Sequence, residues 1–204
     1  MRLIFCIIII ILFSFNIIAR EIGETEITTE DGIEVYQDEK YYLLKKNVKI
    51  LSDNFNLNAK DVKIDFDKSL YDITELNAKG EVNFVSSNFG VSSKSEFLNF
   101  EVKTEKLKVN GKNSELITKD IKMYSDGFIE INNLNGDFKL QGPNSKLINE
   151  SIFIKAEKID GIFSNIGDQK EITFLNVIDK KISYVKNNNT EMYAKKIKLD
   201  RNGK

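Results

Sequence analysis

The sequence predicts an all-β, antiparallel protein, and three observations carry that reading. First, apolar and polar residues alternate strictly in short runs. In Val62-Lys63-Ile64-Asp65-Phe66 three apolar side chains fall on one face, and Phe55-Asn56-Leu57-Asn58-Ala59 follows the same rule. Second, a hairpin phrase recurs: alternating strand, polar turn, alternating strand, then a small residue and Lys. It begins at Val48 and again at Val82, with weaker versions from Leu107 and Ile182. Third, no segment after the N-terminal apolar run keeps a helical period for three turns. Alternation on this scale implies sheets with one wet and one dry face.

In order, Asp31-Gly32 is a turn into a first strand at Ile33–Gln37. Strands follow at Tyr41–Leu44, Val48–Leu51, Phe55–Ala59, Val62–Phe66, Leu70–Leu76 and Val82–Val85. Ser52-Asp53-Asn54 and Asp67-Lys68-Ser69 supply turns between them. The second half gives Leu98–Val102, Leu107–Val109, Glu115–Thr118, Ile121–Tyr124, Phe128–Ile131 and Phe138–Leu140. It closes with Ile152–Ala156, Ile172–Phe174, Lys181–Val185, Met192–Ala194 and Ile197–Leu199. A phrase I-x-x-L-N at Ile73, Ile131 and Ile172 suggests an inexact internal repeat. Many short strands at such spacing suit a sandwich, roll or solenoid. The dry faces are satisfied equally by a filled core and by two sheets that leave a groove for an apolar ligand.

The chain has 204 residues, which suits one domain at 20–204 behind a leader at 1–19. Met1–Ala19 has one early cation, Arg2, then a long apolar run ending at Ala19. It reads as a signal peptide or, if uncleaved, a membrane anchor. In either case the rest of the chain is exported. The only Cys, Cys6, lies in that run, so no disulfide can form within the chain.

Composition narrows the chemistry. Lys plus Arg is 30 and Asp plus Glu 31, a balance that gives no reason to expect nucleic acid. There is no His, which removes the commonest general base and metal ligand together. The carboxylates Asp61, Asp65, Asp67, Asp72 and Glu75 sit at outward or turn positions, where solvation explains them. Ser86-Ser87 and Ser92-Ser93 have no evident base beside them. The glycines are scattered singly at turns and make no phosphate loop. No enzyme, metal site or cofactor is expected.

From Ile27 to Phe100 the chain resembles the LptA/OstA-like family of periplasmic lipopolysaccharide transport proteins. The residues that carry this are I-T-T-E-D-G-I-E-V-Y-Q (Ile27–Gln37), N-V-K-I (Asn47–Ile50), L-N-A-K-D-V-K-I-D-F (Leu57–Phe66) and I-T-E-L-N-A-K-G-E-V-N-F (Ile73–Phe84). Ala78-Lys79-Gly80-Glu81-Val82 matches the family's small-x-Gly-Asn/Asp-Val step best, with Glu81 in the Asn/Asp place. Lys45-Lys46-Asn47-Val48 lacks the Gly, and Gly136-Asp137-Phe138 replaces the Val. The LptC-like membrane-anchored relative shares the fold.

The resemblance implies a twisted open β-jellyroll whose hydrophobic interior receives the acyl chains of lipopolysaccharide, and a periplasmic location. It also implies end-to-end joining of terminal strands into a bridge between inner-membrane LptC-like and outer-membrane LptD-like components, or between copies of the chain. Interior candidates are Val48, Ile50, Leu57, Val62, Ile64, Phe66, Leu76, Val82, Phe84, Phe100 and Val109. Partner-edge candidates are Ile33 and Val35 at the start, and Ile197 and Leu199 at the end. Two rival functions are the anchored adaptor of the same pathway and a structural β-solenoid with no ligand.

Overall fold

The computed structural model describes residues 25–166 and 169–201, without the side chains of 165–170. The leader expectation for Met1–Ala19 lies outside them. Sixteen strands form one antiparallel sheet, and no helix occurs among the described residues. In chain order they are β1 (Glu26–Thr28), β2 (Ile33–Tyr36), β3 (Tyr41–Leu51), β4 (Asn56–Phe66), β5 (Ile73–Ser86), β6 (Val91–Glu101), β7 (Lys106–Asn110) and β8 (Ser114–Thr118). Then come β9 (Lys122–Ser125), β10 (Phe128–Asn132), β11 (Asp137–Gln141), β12 (Lys146–Ile148), β13 (Ile152–Lys155), β14 (Lys158–Ile166), β15 (Gln169–Asn187) and β16 (Thr190–Asp200). The all-β antiparallel expectation holds.

The sheet is folded over on itself along a single line. The long strands cross that line at a bulge. Pairing is interrupted between Lys45 and Val48 in β3, Asn58 and Asp61 in β4, Lys79 and Val82 in β5, and Ile178 and Ser183 in β15. Either side of it the same strand serves a different layer. Residues 97–101 of β6 pair with β7, and residues 91–94 pair with β8. The first layer therefore runs β2, β3, β4, β5, β6, β7, β10, β11, β14, β15, β16. The second runs β1, β3, β4, β5, β6, β8, β9, β12, β13, β15, β16. Along the opposite side, the open seam, the two layers end in separate hairpin turns.

The sequence makes this bend locally. In β3, Lys46 and Asn47 both take positive φ (64° and 54°), and in β5 Gly80 and Glu81 do the same (78° and 50°). Two successive left-handed residues turn a strand sharply without ending it. At Gly80 a Cβ would also stand 2.7 Å from the Cβ of Lys60, so the residue must be Gly for space as well as for φ. Buried serines then satisfy the backbone of the bend: the hydroxyls of Ser114 and Ser145 donate to the carbonyls of Gly111 and Gly142, both at 2.8 Å.

Several sequence expectations change here. Tyr41–Leu44 and Val48–Leu51 are one bent strand, as are Phe55–Ala59 with Val62–Phe66, and Met192–Ala194 with Ile197–Leu199. Ile33–Gln37 is not the first strand, because β1 precedes it with a single inward apolar residue, too short to show a period. In β14 the small inward residue Gly161 lies beneath the Phe138 ring and breaks the alternation that would have revealed the strand. The I-x-x-L-N phrase is not a structural repeat. At its second occurrence Leu134 is 64% exposed in the turn after β10, where the Asn132 side-chain oxygen accepts from Leu134 N (3.0 Å) and Asn135 N (3.2 Å).

Candidate functional site: an apolar interior with two open ends

The inward side chains of both layers meet in one continuous core that runs from β3 to β15. All of Val48, Ile50, Leu57, Val62, Ile64, Phe66, Leu76, Val82, Phe84, Phe100 and Val109 are buried in it. Their neighbours in sequence face out: Asn83 is exposed, and Lys63 is partly exposed and pairs with Asp65 at 2.5 Å. The middle of the interior is filled, because Leu44, Ile50, Leu57 and Ile64 have no exposed surface. The filled state and an apolar lane are the same set of side chains, separated by whether the layers part.

No strand pairing bridges the open seam among the described residues, so the layers meet there through side chains alone. Four phenylalanines do this. Phe55 and Phe89 come from turns of the second layer. Their rings lie 5.7 Å from Phe84 and 5.4 Å from Phe100 respectively, and Phe84 and Phe100 are 5.5 Å apart across the layers. The sequence reading put Phe55 on the apolar face of its strand without counting it among the interior candidates, and it missed Phe89. A signal exists: both close the phrase Ser-x-Asn-Phe, at Ser52–Phe55 and Ser86–Phe89. In each, the Ser hydroxyl oxygen accepts from the Phe amide, at 3.0 Å and 3.3 Å, and turns the ring over the core.

At the N-terminal end the core opens. Ile27, Ile33, Val35, Tyr42, Leu70, Tyr71 and Ile73 line a recess of about 1040 Å³. Ile33 and Val35 lie opposite the inward residues Leu44 and Tyr42, yet are 50% and 49% exposed because nothing covers their outer side. Tyr71 is 90% exposed at its lip. Burial pushes the Tyr42 hydroxyl up to about 12, and that group donates to the Leu70 carbonyl at 3.5 Å. At the other end β16 pairs only with β15. Ile197 and Leu199 lie opposite Val177 and Leu175 on the inward side and stay partly uncovered, with Lys196 and Lys198 outward. The edge candidates thus sit at opposite ends of the roll, each beside strand backbone with an unoccupied flank.

Outside the interior, a hollow of about 520 Å³ lies on the outer face of the first layer, over Leu43, Asn77, Phe97 and Asn99. Its charged rim is internally paired, Lys63 with Asp65 and Lys79 with Asp61 (3.5 Å). Among the described residues no group of three or more His, Cys, Asp or Glu side chains could hold a metal ion.

No family profile matches this chain, and no curated protein matches it either. Among solved structures it is similar to LptH, the LptA-homologous periplasmic component of the lipopolysaccharide transport device of Pseudomonas aeruginosa. The TM-score is 0.31 at 13% identity, over 69% of this chain and 76% of that one. A likeness of that degree carries no functional argument.

Proposed function

We propose that the chain is a non-enzymatic carrier of lipopolysaccharide in the periplasm, taking acyl chains between its two layers and handing them on through its ends. One observation carries the reading: a single apolar interior runs the length of the roll and is uncovered at both ends, where the backbone edges are also unpaired. The resemblance of Ile27–Phe100 to the LptA/OstA-like family supports it. Acyl chains suit such an interior because each methylene removed from water contributes about 0.8 kcal/mol. Loading requires the layers to part at the seam, where ring contacts yield and no backbone hydrogen bond has to break. LptC-like and LptD-like components, or another copy of the chain, would continue the sheet at β2 and β16. The anchored-adaptor variant differs only in retaining Met1–Ala19, and N-terminal sequencing of the mature protein separates the two.

A second reading is favoured by the filled middle of the core: a structural roll that never opens and binds no lipid. Displacement of a fluorescent apolar probe from the purified protein by lipopolysaccharide distinguishes them. The carrier displaces probe in a saturable way, and loses this when Phe84 is replaced by Asp. Probe that never binds supports the structural roll.

A further inference from the structure

The outer faces of the two layers carry different chemistry. On the first layer cations and acids alternate and pair, Lys63 with Asp65 at 2.5 Å, Lys79 with Asp61 at 3.5 Å, Lys106 with Glu130 at 3.4 Å and Lys158 with Asp160 at 3.2 Å. On the second layer that balance is lost. Among its strand-paired residues, Lys49, Lys94, Lys122, Lys146, Lys155 and Lys186 face outward against Glu26, Glu115 and Glu191. The excess gathers on five neighbouring strands, β9, β12, β13, β15 and β16. There Tyr124, Lys146, Lys155, Tyr184 and Tyr193 form one cross-strand row. Lys122, Ile148, Phe153 and Lys186 form the next. Met123, Leu147, Ile154 and Val185, between them in sequence, are buried, which sets these rows on the outer face. The Tyr193 ring lies 5.0 Å from that of Tyr184.

We infer that this face docks on a membrane surface rich in anionic phospholipid headgroups. Lys146 stands directly opposite Lys155, a like-charged cross-strand pair that costs stability unless an anion sits over it. Lys and Tyr each carry a polar tip on an apolar stem, which suits the boundary between phosphates and acyl chains. Apolar bodies are set among the cations. Ile148 and Phe153 lie between Lys122 and Lys186. At the fold-line end Ile182 and Tyr193, 57% and 60% exposed, border a hollow of about 310 Å³. Five strands about 4.8 Å apart spread the contact over about 19 Å, a span that meets headgroups side by side. A soluble polyanion would use the lysines and leave Ile148, Phe153 and Ile182 idle, so a lipid surface matches more of the face. The inference concerns the outside of the roll and does not depend on what the interior carries.

The chain contains no Trp, so Tyr193→Trp in the full chain places a single indole on this face. Phe97→Trp is the control, at a position 50% exposed on the outer face of the first layer. With phosphatidylglycerol vesicles, emission from position 193 should shift to the blue and be quenched by brominated acyl chains. Both effects should fade as salt rises. Phosphatidylcholine vesicles should leave position 193 unchanged, and position 97 should respond to neither lipid. The apolar run at Met1–Ala19 meets both kinds of vesicle alike, so the difference between them reports on the face. Lys155→Glu separates docking from folding. It removes the like-charged pair, so the unfolding temperature should not fall, while affinity for phosphatidylglycerol vesicles should drop at least about tenfold. Equal responses to the two lipids, equal responses at the two positions, no response at position 193, or unchanged affinity in Lys155→Glu overturns the inference. So does soluble polyphosphate that shifts position 193 as fully as the vesicles do, which would assign the face to a soluble polyanion.

Discussion

At Ile64 the side chain has no exposed surface and lies in the apolar core, so Ile64→Asp should cost more than about 4 kcal/mol in denaturant unfolding, or prevent folding. Asn83→Asp, one residue from buried Phe84 but facing water, should stay within about 0.5 kcal/mol of the parent. Lys63→Asp is less silent than its outward position alone implies. Lys63 pairs with Asp65 and lies 4.7 Å from the Tyr41 ring centre, so the change sets two carboxylates side by side. Ser93 gives the opposite sign. Its hydroxyl is buried with no hydrogen-bond partner, so Ser93→Ala should raise stability by about 1 kcal/mol. Tyr42 sets an alkaline limit. Its hydroxyl has an unfolded value near 10 and is raised to about 12 in the folded chain. The stability linked to that shift is complete below pH 10 and is lost as pH rises through 12. Thermal unfolding across that window should show the loss, and Tyr42→Phe should remove this contribution. Inward and outward parity was legible in the sequence because strict alternation survives within each half-strand. Ser93 hid its half of β6, a polar residue standing where the pattern asks for an apolar one.

The bend is the element that turns one sheet into two layers, and it was legible only as an interruption. Lys45-Lys46-Asn47 and Lys79-Gly80-Glu81 read as gaps between strands because two left-handed residues suspend the alternation without ending the strand. The later corners pack backbone against backbone. At Gly127 a Cβ would stand 2.1 Å from the Gln141 carbonyl oxygen and 2.9 Å from the Gly142 Cα, atoms that no rotamer change can move. Gly127→Ala should therefore destabilise by about 3 kcal/mol or more, and Gly80→Ala, which adds a clash with the backbone-fixed Lys60 Cβ to a positive φ, should cost at least about 2 kcal/mol. At the C-terminal edge, removing residues 194–204 uncovers Leu175 and Val177, which are buried opposite Leu199 and Ile197. That truncation should lower the unfolding temperature yet leave a folded chain, and size-exclusion chromatography should show loss of end-to-end association. Unchanged association would remove β16 as a joining edge.

Among the described residues, the layers are joined at the fold line by strands that continue through it, and at the seam by side-chain packing. An interior so built can be full when empty of ligand and still admit a chain, provided side chains such as Phe55 and Phe89 move aside. Sequence alternation could not reveal this, since a filled core and an occupied lane have the same period. The ends were legible through Ile33, Val35, Ile197 and Leu199, but the recess also needs Leu70 and Tyr71, which the sequence reads as the start of a strand and the structure places in the turn before β5. The central claim is that acyl chains pass between the layers. Its most direct test is photo-crosslinking in cells from a light-activated residue at Phe84, with the outward position Asn83 as control. The carrier account predicts a lipopolysaccharide adduct from position 84 and none from 83. Equal labelling at both, or none at 84 in folded and exported protein, would contradict it.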